Sequence, residues 1–199
     1  FKATFDQTPS ESRNDVRREY HVRTGNGVHF FTGTRPIALL PIDIAELKME
    51  VNILENCEPR RLACVPHIGA YHLISSAFEK LGGFATQHQL WGGAMVAVYY
   101  DSPELTPENA LRSAAGVQLV DERSVPEGLE EVHIGGGKWA CYRHVGPYSG
   151  LGDAWNKFSK WLLQNGQEFG MEPAYEVYVN DCRQVPPEEV LTDLYIKIQ

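Results

Sequence analysis

One acidic residue near the end of the chain has neighbours that suit the binding of a cation. Residues 174–179 have the composition of a strand, and their alternation puts Glu176 and Tyr178 on the face opposite Tyr175. A carboxylate among aromatic rings attracts cations by its charge, and the ring faces add cation–π attraction. The alternative is that Glu176 faces water, as most acidic side chains do.

A second candidate feature is the motif His-x-Gly-x-Tyr, which occurs at residues 67–71 and again at 144–148. Glycine permits a sharp turn after a strand, and Pro147 fits the first turn of a helix. The motif therefore predicts Tyr71 and Tyr148 at helix N-termini, beside the sheet. Two interpretations remain open: the tyrosines pack and cap this corner, or they flank a cleft between two halves of the domain.

The four cysteines, at positions 57, 64, 141 and 182, form no Cys-x-x-Cys pair. The segments 64–67 and 141–144 read Cys-x-x-His, which is nominally a zinc set. Side chains three residues apart on a strand point to opposite faces, so we expect no metal site. We expect free thiols that are small buried apolar groups.

Other chemistry-bearing motifs are missing from the sequence. No G-x-S-x-G elbow is present, and Gly135-Gly136-Gly137-Lys138 lacks the frame of a phosphate-binding loop. We interpret the three glycines as a hairpin turn between two strands. The sequence predicts no catalytic residue and no cofactor.

The elements that must position these residues come in two copies. Residues 63–71 and 140–148 share five identities at an offset of 77, and a helical pattern follows each copy. We expect Gly82-Gly83 and Gly166 to end the two helices. The helical faces are marked by Tyr71, Ile74, Phe78 and Leu81, and by Leu151, Trp155, Phe158 and Leu162, with Trp161 beside them.

Each half is predicted to run strand, strand, helix, strand, strand, which gives an α+β domain over residues 49–199 with halves 49–125 and 126–199. Strands are expected where the chain is rich in β-formers, and a further strand should end near each motif histidine. The expected strands are 50–55, 95–101, 117–120, 130–134, 175–179 and 194–198.

The 199 residues carry 26 acidic and 18 basic side chains, a net charge of −8. Residues 1–35 carry +2, and the remainder carries −10. A nucleic-acid-binding surface is normally basic, so the acidic body does not suit that role. No apolar run approaches the roughly 18–20 residues that span a bilayer, and no signal peptide opens the chain. We expect a cytoplasmic protein without membrane contact.

Several motifs, in order, resemble the GyrI-like small-molecule-binding domain over residues 49–199. They are the duplicated motif, Tyr99-Tyr100-Asp101-Ser102-Pro103, Gly136-Gly137-Lys138-Trp139-Ala140 and Tyr175-Glu176-Val177-Tyr178. The resemblance implies duplicated strand-strand-helix-strand-strand halves of the SHS2 type, with a ligand groove on a pseudo-two-fold axis. It also implies aromatic walls and, in many members, a buried acidic residue that meets cationic or hydrophobic compounds. Glu176 falls on that acidic position, and the candidate ligand-binding set is Glu176, Tyr148, Tyr178, Trp155, Tyr71 and Tyr99.

The first thirteen residues resemble the end of an AraC-type helix-turn-helix domain. Phe1 and Phe5 are spaced as on one helix face, and Thr8-Pro9 and Arg13 follow. The resemblance implies that residues 1–19 are a helical remnant of a DNA-binding domain whose reading helices lie upstream. We take residues 20–48 as a linker or packed arm.

Together these observations predict the effector domain of a bacterial AraC-type transcription regulator. Its partners would be a small molecule and, through the upstream domain, DNA; a homodimer is left open. One alternative is a GyrI-like hydrolase that uses Glu176 as a general base. Another is a gyrase-inhibitor-like protein-binding module whose acidic body mimics nucleic acid. Turnover that is lost in Glu176→Gln would favour the hydrolase, and salt-sensitive partner binding would favour the inhibitor.

Overall fold

The computed structural model describes residues 20–23, 29–32 and 49–199. Strands β1 (Tyr20–Arg23) and β2 (His29–Thr32) pair antiparallel. The predicted helical remnant at 1–19 lies outside the described residues, as does most of the predicted linker at 20–48.

Residues 49–199 contain two copies of one order of elements, as predicted. Each copy runs strand, strand, helix, strand, strand, and short 3-10 turns precede the helices and the last strands. The first copy comprises β3 (Val51–Leu54), β4 (Arg60–Ile68), α1 (Ser75–Gln87), β5 (Met95–Tyr99) and β6 (Arg112–Gln118). The second comprises β7 (Glu130–Ile134), β8 (Trp139–Val145), α2 (Leu151–Gln164), β9 (Ala174–Tyr178) and β10 (Leu191–Lys197).

The eight strands form one antiparallel sheet in the order β3-β8-β10-β9-β5-β6-β4-β7. The halves meet at β5 and β9, where Ala97 lies opposite Glu176. The first strand of each half pairs with the other half: β3 with β8, and β7 with β4. The predicted hairpin at Gly135-Gly136-Gly137 is therefore wrong. The three glycines do form a turn, with φ between 68° and 83°, but it joins two strands that do not pair with each other.

Two of the predicted strands begin too late. The strands expected at 117–120 and 194–198 run over Arg112–Gln118 and Leu191–Lys197. The missed residues include Ser113, Ala114 and Ala115, which have low β-propensity but are almost fully buried. Burial under the neighbouring elements outweighs local propensity here.

The predicted end of the first helix is wrong, and that of the second is confirmed. Helix α1 continues through Gly82-Gly83 to Gln87 because Leu81 and Ala85 on its inner face are fully buried. Helix α2 ends as predicted, with Gly166 at φ 68° just beyond its last residue.

Both helices pack on one face of the sheet. Helix α1 buries Ala77, Leu81 and Ala85 there, and α2 buries Ala154, Phe158 and Leu162. The other face carries its own buried cluster, in which Tyr175 stacks on Tyr195 and meets Trp139 edge-on. None of the helices in the described ranges is long and apolar enough to cross a lipid bilayer.

Replacing Gly83 with alanine should stabilise the domain. Gly83 is exposed inside α1, and an added Cβ would meet no atom within 4 Å. Alanine is a better helix former than glycine, so urea unfolding should give a free energy higher by about 0.5–1 kcal/mol. In Gly93→Ala the new Cβ would lie 1.8 Å from the Gln118 carbonyl oxygen, so that variant should be destabilised. A Gly83→Ala protein less stable than the parent would contradict this account of α1.

Candidate functional site

A groove over β5 and β9, between the two helices, forms part of a void of about 1840 Å³. The central strands supply its floor, and the facing sides of α1 and α2 supply its walls. All six residues of the predicted set line it: Tyr71, Tyr99, Tyr148, Trp155, Glu176 and Tyr178.

Glu176 lies at the centre of the floor and is only 2% exposed. Its Oε2 accepts hydrogen bonds from the hydroxyls of Tyr99 (2.9 Å) and Tyr178 (2.8 Å). Its Oε1 accepts one from Trp155 Nε1 (2.7 Å). The alternative that Glu176 faces water is therefore wrong: the strand turns this face toward the helices, and aromatic donors surround the carboxylate.

Burial and hydrogen bonding shift the pKa of the Glu176 carboxylate in opposite directions. Burial raises the pKa of Glu176 above its ordinary value, and the hydrogen bonds from Trp155, Tyr178 and Tyr99 oppose that rise. Burial, reinforced by the nearby carboxylate, also raises the pKa values of Tyr99 and Tyr178. Both phenols therefore stay protonated and remain donors at neutral pH. A cation beside Glu176 would favour its charged form.

The aromatic walls repeat across the pseudo-two-fold axis. The ring of Tyr71 lies 4.8 Å from that of Tyr99, and the ring of Tyr148 lies 5.3 Å from that of Tyr178. Trp155 meets Tyr99 edge-on at 6.2 Å. Phe78, which occupies the matching place on α1, meets Tyr178 at 5.4 Å. The groove is thus two aromatic half-sites that face each other.

The chemistry of the two halves is not symmetric. The residue of β5 that corresponds to Glu176 is Ala97, and the two lie directly opposite each other. The counterpart of Trp155 is Phe78, which has no N–H to donate. A single carboxylate therefore sits on the axis of an otherwise repeated aromatic groove, in the space that Ala97 leaves.

The two motif tyrosines are held differently. The Tyr71 hydroxyl donates to the carbonyl oxygen of Asp101 (2.7 Å) and accepts from its amide, and burial raises the pKa of Tyr71 to about 12. Asp101 is in turn paired with Arg112 at 2.8 Å. Tyr148 is 41% exposed, and burial, reinforced by the neighbouring Cys182, raises the pKa of its phenol. The second-half tyrosine is therefore the less constrained wall of the groove.

Three of the further lining residues, none of them predicted, lie at exposed positions. Trp91, Met171 and Cys182 lie in loops beyond the strand ends, and Trp91 and Met171 are 54% and 97% exposed. Large apolar side chains exposed beside an aromatic groove extend the surface available to an apolar ligand. The sequence held one clue to Trp91 and Met171: they lie in loops at equivalent places in the two copies of the repeat.

The cysteines behave as predicted at three of four positions. Cys57, Cys64 and Cys141 are buried free thiols, whereas Cys182 is exposed because it lies in a loop and not on a strand. Cys64 and His67 leave opposite faces of β4, as the spacing indicates. Among the described residues no group of three or more His, Cys, Asp or Glu side chains is arranged to hold a metal ion.

One thiol should react much faster than the other three with a disulfide reagent such as 5,5′-dithiobis(2-nitrobenzoate). Burial raises the pKa of Cys64 to about 12 and that of Cys141 to about 11, so neither forms much thiolate at pH 8. Cys182 is exposed. We expect one fast equivalent in the folded protein, four after denaturation, and none fast in Cys182→Ser. Two or more fast equivalents in the folded protein would contradict the burial described here.

Comparison with known proteins agrees with this geometry. A family model described as a GyrI-like small molecule binding domain matches residues 49–199. A protein named DNA gyrase inhibitor from Yersinia enterocolitica is 29% identical over 142 residues, which is 68% of this chain and 89% of that protein.

Two solved structures share the fold at low sequence identity. The C-terminal domain of EcmrR matches with a TM-score of 0.59 at 15% identity, over 76% of this chain and 98% of that chain. A protein solved with bound tetraphenylphosphonium matches with a TM-score of 0.56 at 10% identity, over 76% of this chain and 94% of that one.

Proposed function

Because the chain belongs to the GyrI-like small molecule binding domain family, we propose that it binds a cationic molecule with an apolar body, as the effector domain of a bacterial AraC-type transcription regulator. The ligand would lie in the groove between α1 and α2. The six residues proposed to contact it are Glu176, Tyr99, Tyr178, Trp155, Tyr71 and Tyr148.

The observation that carries this proposal is the buried carboxylate of Glu176 in an aromatic groove. A buried charge normally has a charged partner, yet the donors to Glu176 are neutral phenols and an indole. Neutral donors leave most of its negative charge uncompensated, since His144 favours the charged form less than any of the three hydrogen bonds does. A cation that brings apolar surface would supply the missing charge and cover the rings at the same time.

The direct test compares a cation with a neutral molecule of similar shape. Tetraphenylphosphonium should raise the melting temperature in a concentration-dependent way, and triphenylphosphine oxide should do so much less at equal concentration. Calorimetric titration then gives the two affinities. Equal affinity for both compounds would mean that the charge of Glu176 does not select the ligand, which would refute the proposal.

The regulatory part of the proposal needs a ligand that discriminates between two states. A bound molecule biases an attached DNA-binding domain only if its affinity differs between the DNA-binding and the inactive arrangement. Residues 36–199 carry a net charge of −10, so this chain alone should bind DNA weakly. A gel shift showing tight, sequence-specific binding by residues 1–199 alone would overturn that assignment. A homodimer remains a prediction.

A second candidate function is inhibition of DNA gyrase through a protein contact, favoured by the relative from Yersinia enterocolitica that carries that name. The acidic body would then dock on a basic, nucleic-acid-binding surface. In a supercoiling assay with purified gyrase, this function predicts inhibition that weakens steeply as salt rises from 50 to 200 mM. Unaltered supercoiling at low salt would exclude it.

A further inference from the structure

The two copies of the His-x-Gly-x-Tyr motif hold their histidines differently. In the first copy, Nδ1 of His67 lies 3.0 Å from the hydroxyl of Ser113, which is directly opposite it on β6. In the second copy, the residue directly opposite His144 is Thr192, on β10. His144 instead places its Nε2 3.3 Å from the carbonyl oxygen of Pro147. Among residues 49–199, the hydrogen bond that the first histidine makes is therefore not repeated by the second.

Thr192 is left with a buried hydroxyl that lacks a partner. Its side chain is 0% exposed, and its Oγ1 makes no hydrogen bond within the part of the chain that the structure describes. Such a group is unfavourable and calls for an explanation. Side chains directly opposite each other on paired strands are about 4.5–5.5 Å apart, so a small movement of the His144 ring would bring Nδ1 to this hydroxyl. Because Nε2 donates to a carbonyl, the Nδ1 of the neutral ring is free to accept from Thr192.

The ring of His144 packs closely against the turn that carries Tyr148. A Cβ added at Gly150 would lie 3.1 Å from Cε1 of His144, and one added at Gly146 would lie 3.5 Å from its Nε2. The ring therefore supports this turn from below, through contacts that two glycines make possible. If the ring moved from Pro147 to Thr192, the turn would lose that support and Tyr148 could move with it.

A wall of the groove must move before a ligand can touch Glu176, because this side chain is only 2% exposed. Tyr71 is held in place, since its hydroxyl donates to the carbonyl oxygen of Asp101 and accepts from the amide of the same residue. Tyr148 is 41% exposed, and its ring covers Tyr178 at a centroid distance of 5.3 Å. The wall that can move at the lowest cost is therefore the one formed by Tyr148.

We propose that residues 144–150 form a gate over the groove and that His144 is the positioning residue that controls it. When Tyr148 moves away from Tyr178, the ring of His144 leaves the carbonyl of Pro147 and binds the hydroxyl of Thr192. The buried hydroxyl thus stabilises the open gate, and the corner at residues 67–73 stays fixed. The use of the gate rests on the proposed function of the groove, whereas the motion itself does not.

Relaxation dispersion of the backbone amides tests the motion without a ligand. The amides of residues 144–150 should show exchange on the microsecond-to-millisecond timescale, and those of residues 67–73 should show none. Thr192→Val keeps the shape of the side chain but removes the hydroxyl, so it should abolish the exchange. If this variant does not fold, His144→Phe, which cannot accept the hydroxyl, should abolish it too. Absent exchange at residues 144–150, or equal exchange in the two corners, would overturn the gate.

Thr192→Val should also change stability and binding in opposite directions. It removes a hydroxyl that is unpaired while the gate is closed, so the melting temperature should rise by at least about 2 °C. The open gate loses its hydrogen bond, so tetraphenylphosphonium should bind at least about fivefold more weakly. Thr192→Ser keeps the hydroxyl and should bind this cation as the parent does. A residue with a merely structural role would not give a more stable protein that binds more weakly.

The matched control is Ser113→Ala in the first half. It removes a hydroxyl that is already paired with His67, so it should lower the melting temperature and leave the affinity for tetraphenylphosphonium unchanged. A Thr192→Val protein that is less stable than the parent, or that binds the cation equally well, would refute the role of the hydroxyl. Exchange as expected in a protein that does not bind tetraphenylphosphonium would refute the proposed function and still support the gate.

Discussion

Replacing Glu176 with glutamine is expected to weaken tetraphenylphosphonium binding by about 10- to 100-fold and to leave triphenylphosphine oxide binding nearly unchanged. The carboxylate is 2% exposed, so little solvent screens its charge from a cation in the groove. Glutamine keeps the size and one acceptor, and the hydroxyls of Tyr99 and Tyr178 can rotate to accept from the new amide. Only the charge is removed. Calorimetric titration of both compounds measures the difference.

The matched control is Glu172→Gln. Glu172 also lines the groove, but it is half exposed and sits near Lys197 at the rim. This substitution changes the net charge by the same amount and should alter the affinity less than threefold. Equal losses in the two variants would mean that the groove attracts cations by its general charge and not through Glu176.

Glu176→Gln should also change how the stability of the domain depends on pH. Burial raises the pKa of Glu176, so the folded state holds its proton to a higher pH than the unfolded chain, for which the value is near 4.5. The contribution of this group is therefore fully present below about pH 4.5 and is lost as the pH rises through the folded pKa. Relative to the parent, Glu176→Gln should gain stability between pH 4 and pH 7 in urea unfolding. A constant difference across this range would mean that the folded pKa is not raised.

Glu176→Gln also separates binding from hydrolysis. A hydrolase that used Glu176 as a general base would lose turnover of a reactive ester by several hundredfold in the variant, since a positioned base contributes about 10²–10⁴. A binding domain would show equal background turnover in both proteins. The three donors that already occupy Glu176 favour a binding role, because Oε2 already accepts two hydrogen bonds in the structure.

The site was more predictable from the sequence than the way in which the sheet is assembled. Strict alternation in 174–179 correctly put Glu176 and Tyr178 on one face, because period-two patterning is local. The exchange of β3 and β7 between the halves depends on long-range pairing, for which local patterns carry no signal. For the same reason the turn at Gly135-Gly136-Gly137 was mistaken for a hairpin.

The asymmetry of the groove was hidden for a related reason. Ala97 and Glu176 correspond in the repeat, but only the register of β5 against β9 shows that they face each other across the axis. Phe78 and Trp155 likewise appear equivalent as helix residues, until the indole N–H is seen 2.7 Å from the carboxylate.

Replacing Trp155 with phenylalanine should raise the pH at which the groove begins to bind tetraphenylphosphonium by about one to two units. Burial raises the pKa of Glu176, and the hydrogen bond from Trp155 is first among the contacts that oppose it. A hydrogen bond to a charged group contributes about 1.5–3 kcal/mol, and each pKa unit corresponds to about 1.4 kcal/mol. Without that donor, Glu176 must reach a higher pH before it ionises. Affinity measured from pH 4 to pH 9 gives the midpoint.

Trp155 offers the groove both ring area and an N–H donor. The pH midpoint of binding, and not the affinity at high pH, separates these two contributions. Loss of ring area lowers the affinity at every pH, whereas loss of the N–H moves the titration that controls binding. Trp161→Phe is the control, because Trp161 lies on the same helix outside the groove and should leave the midpoint unchanged. A midpoint that stays fixed in Trp155→Phe would show that the indole serves only as a wall. A shifted midpoint would mean that the asymmetry between Trp155 and Phe78 sets the pH range in which this nearly symmetric groove holds a cation.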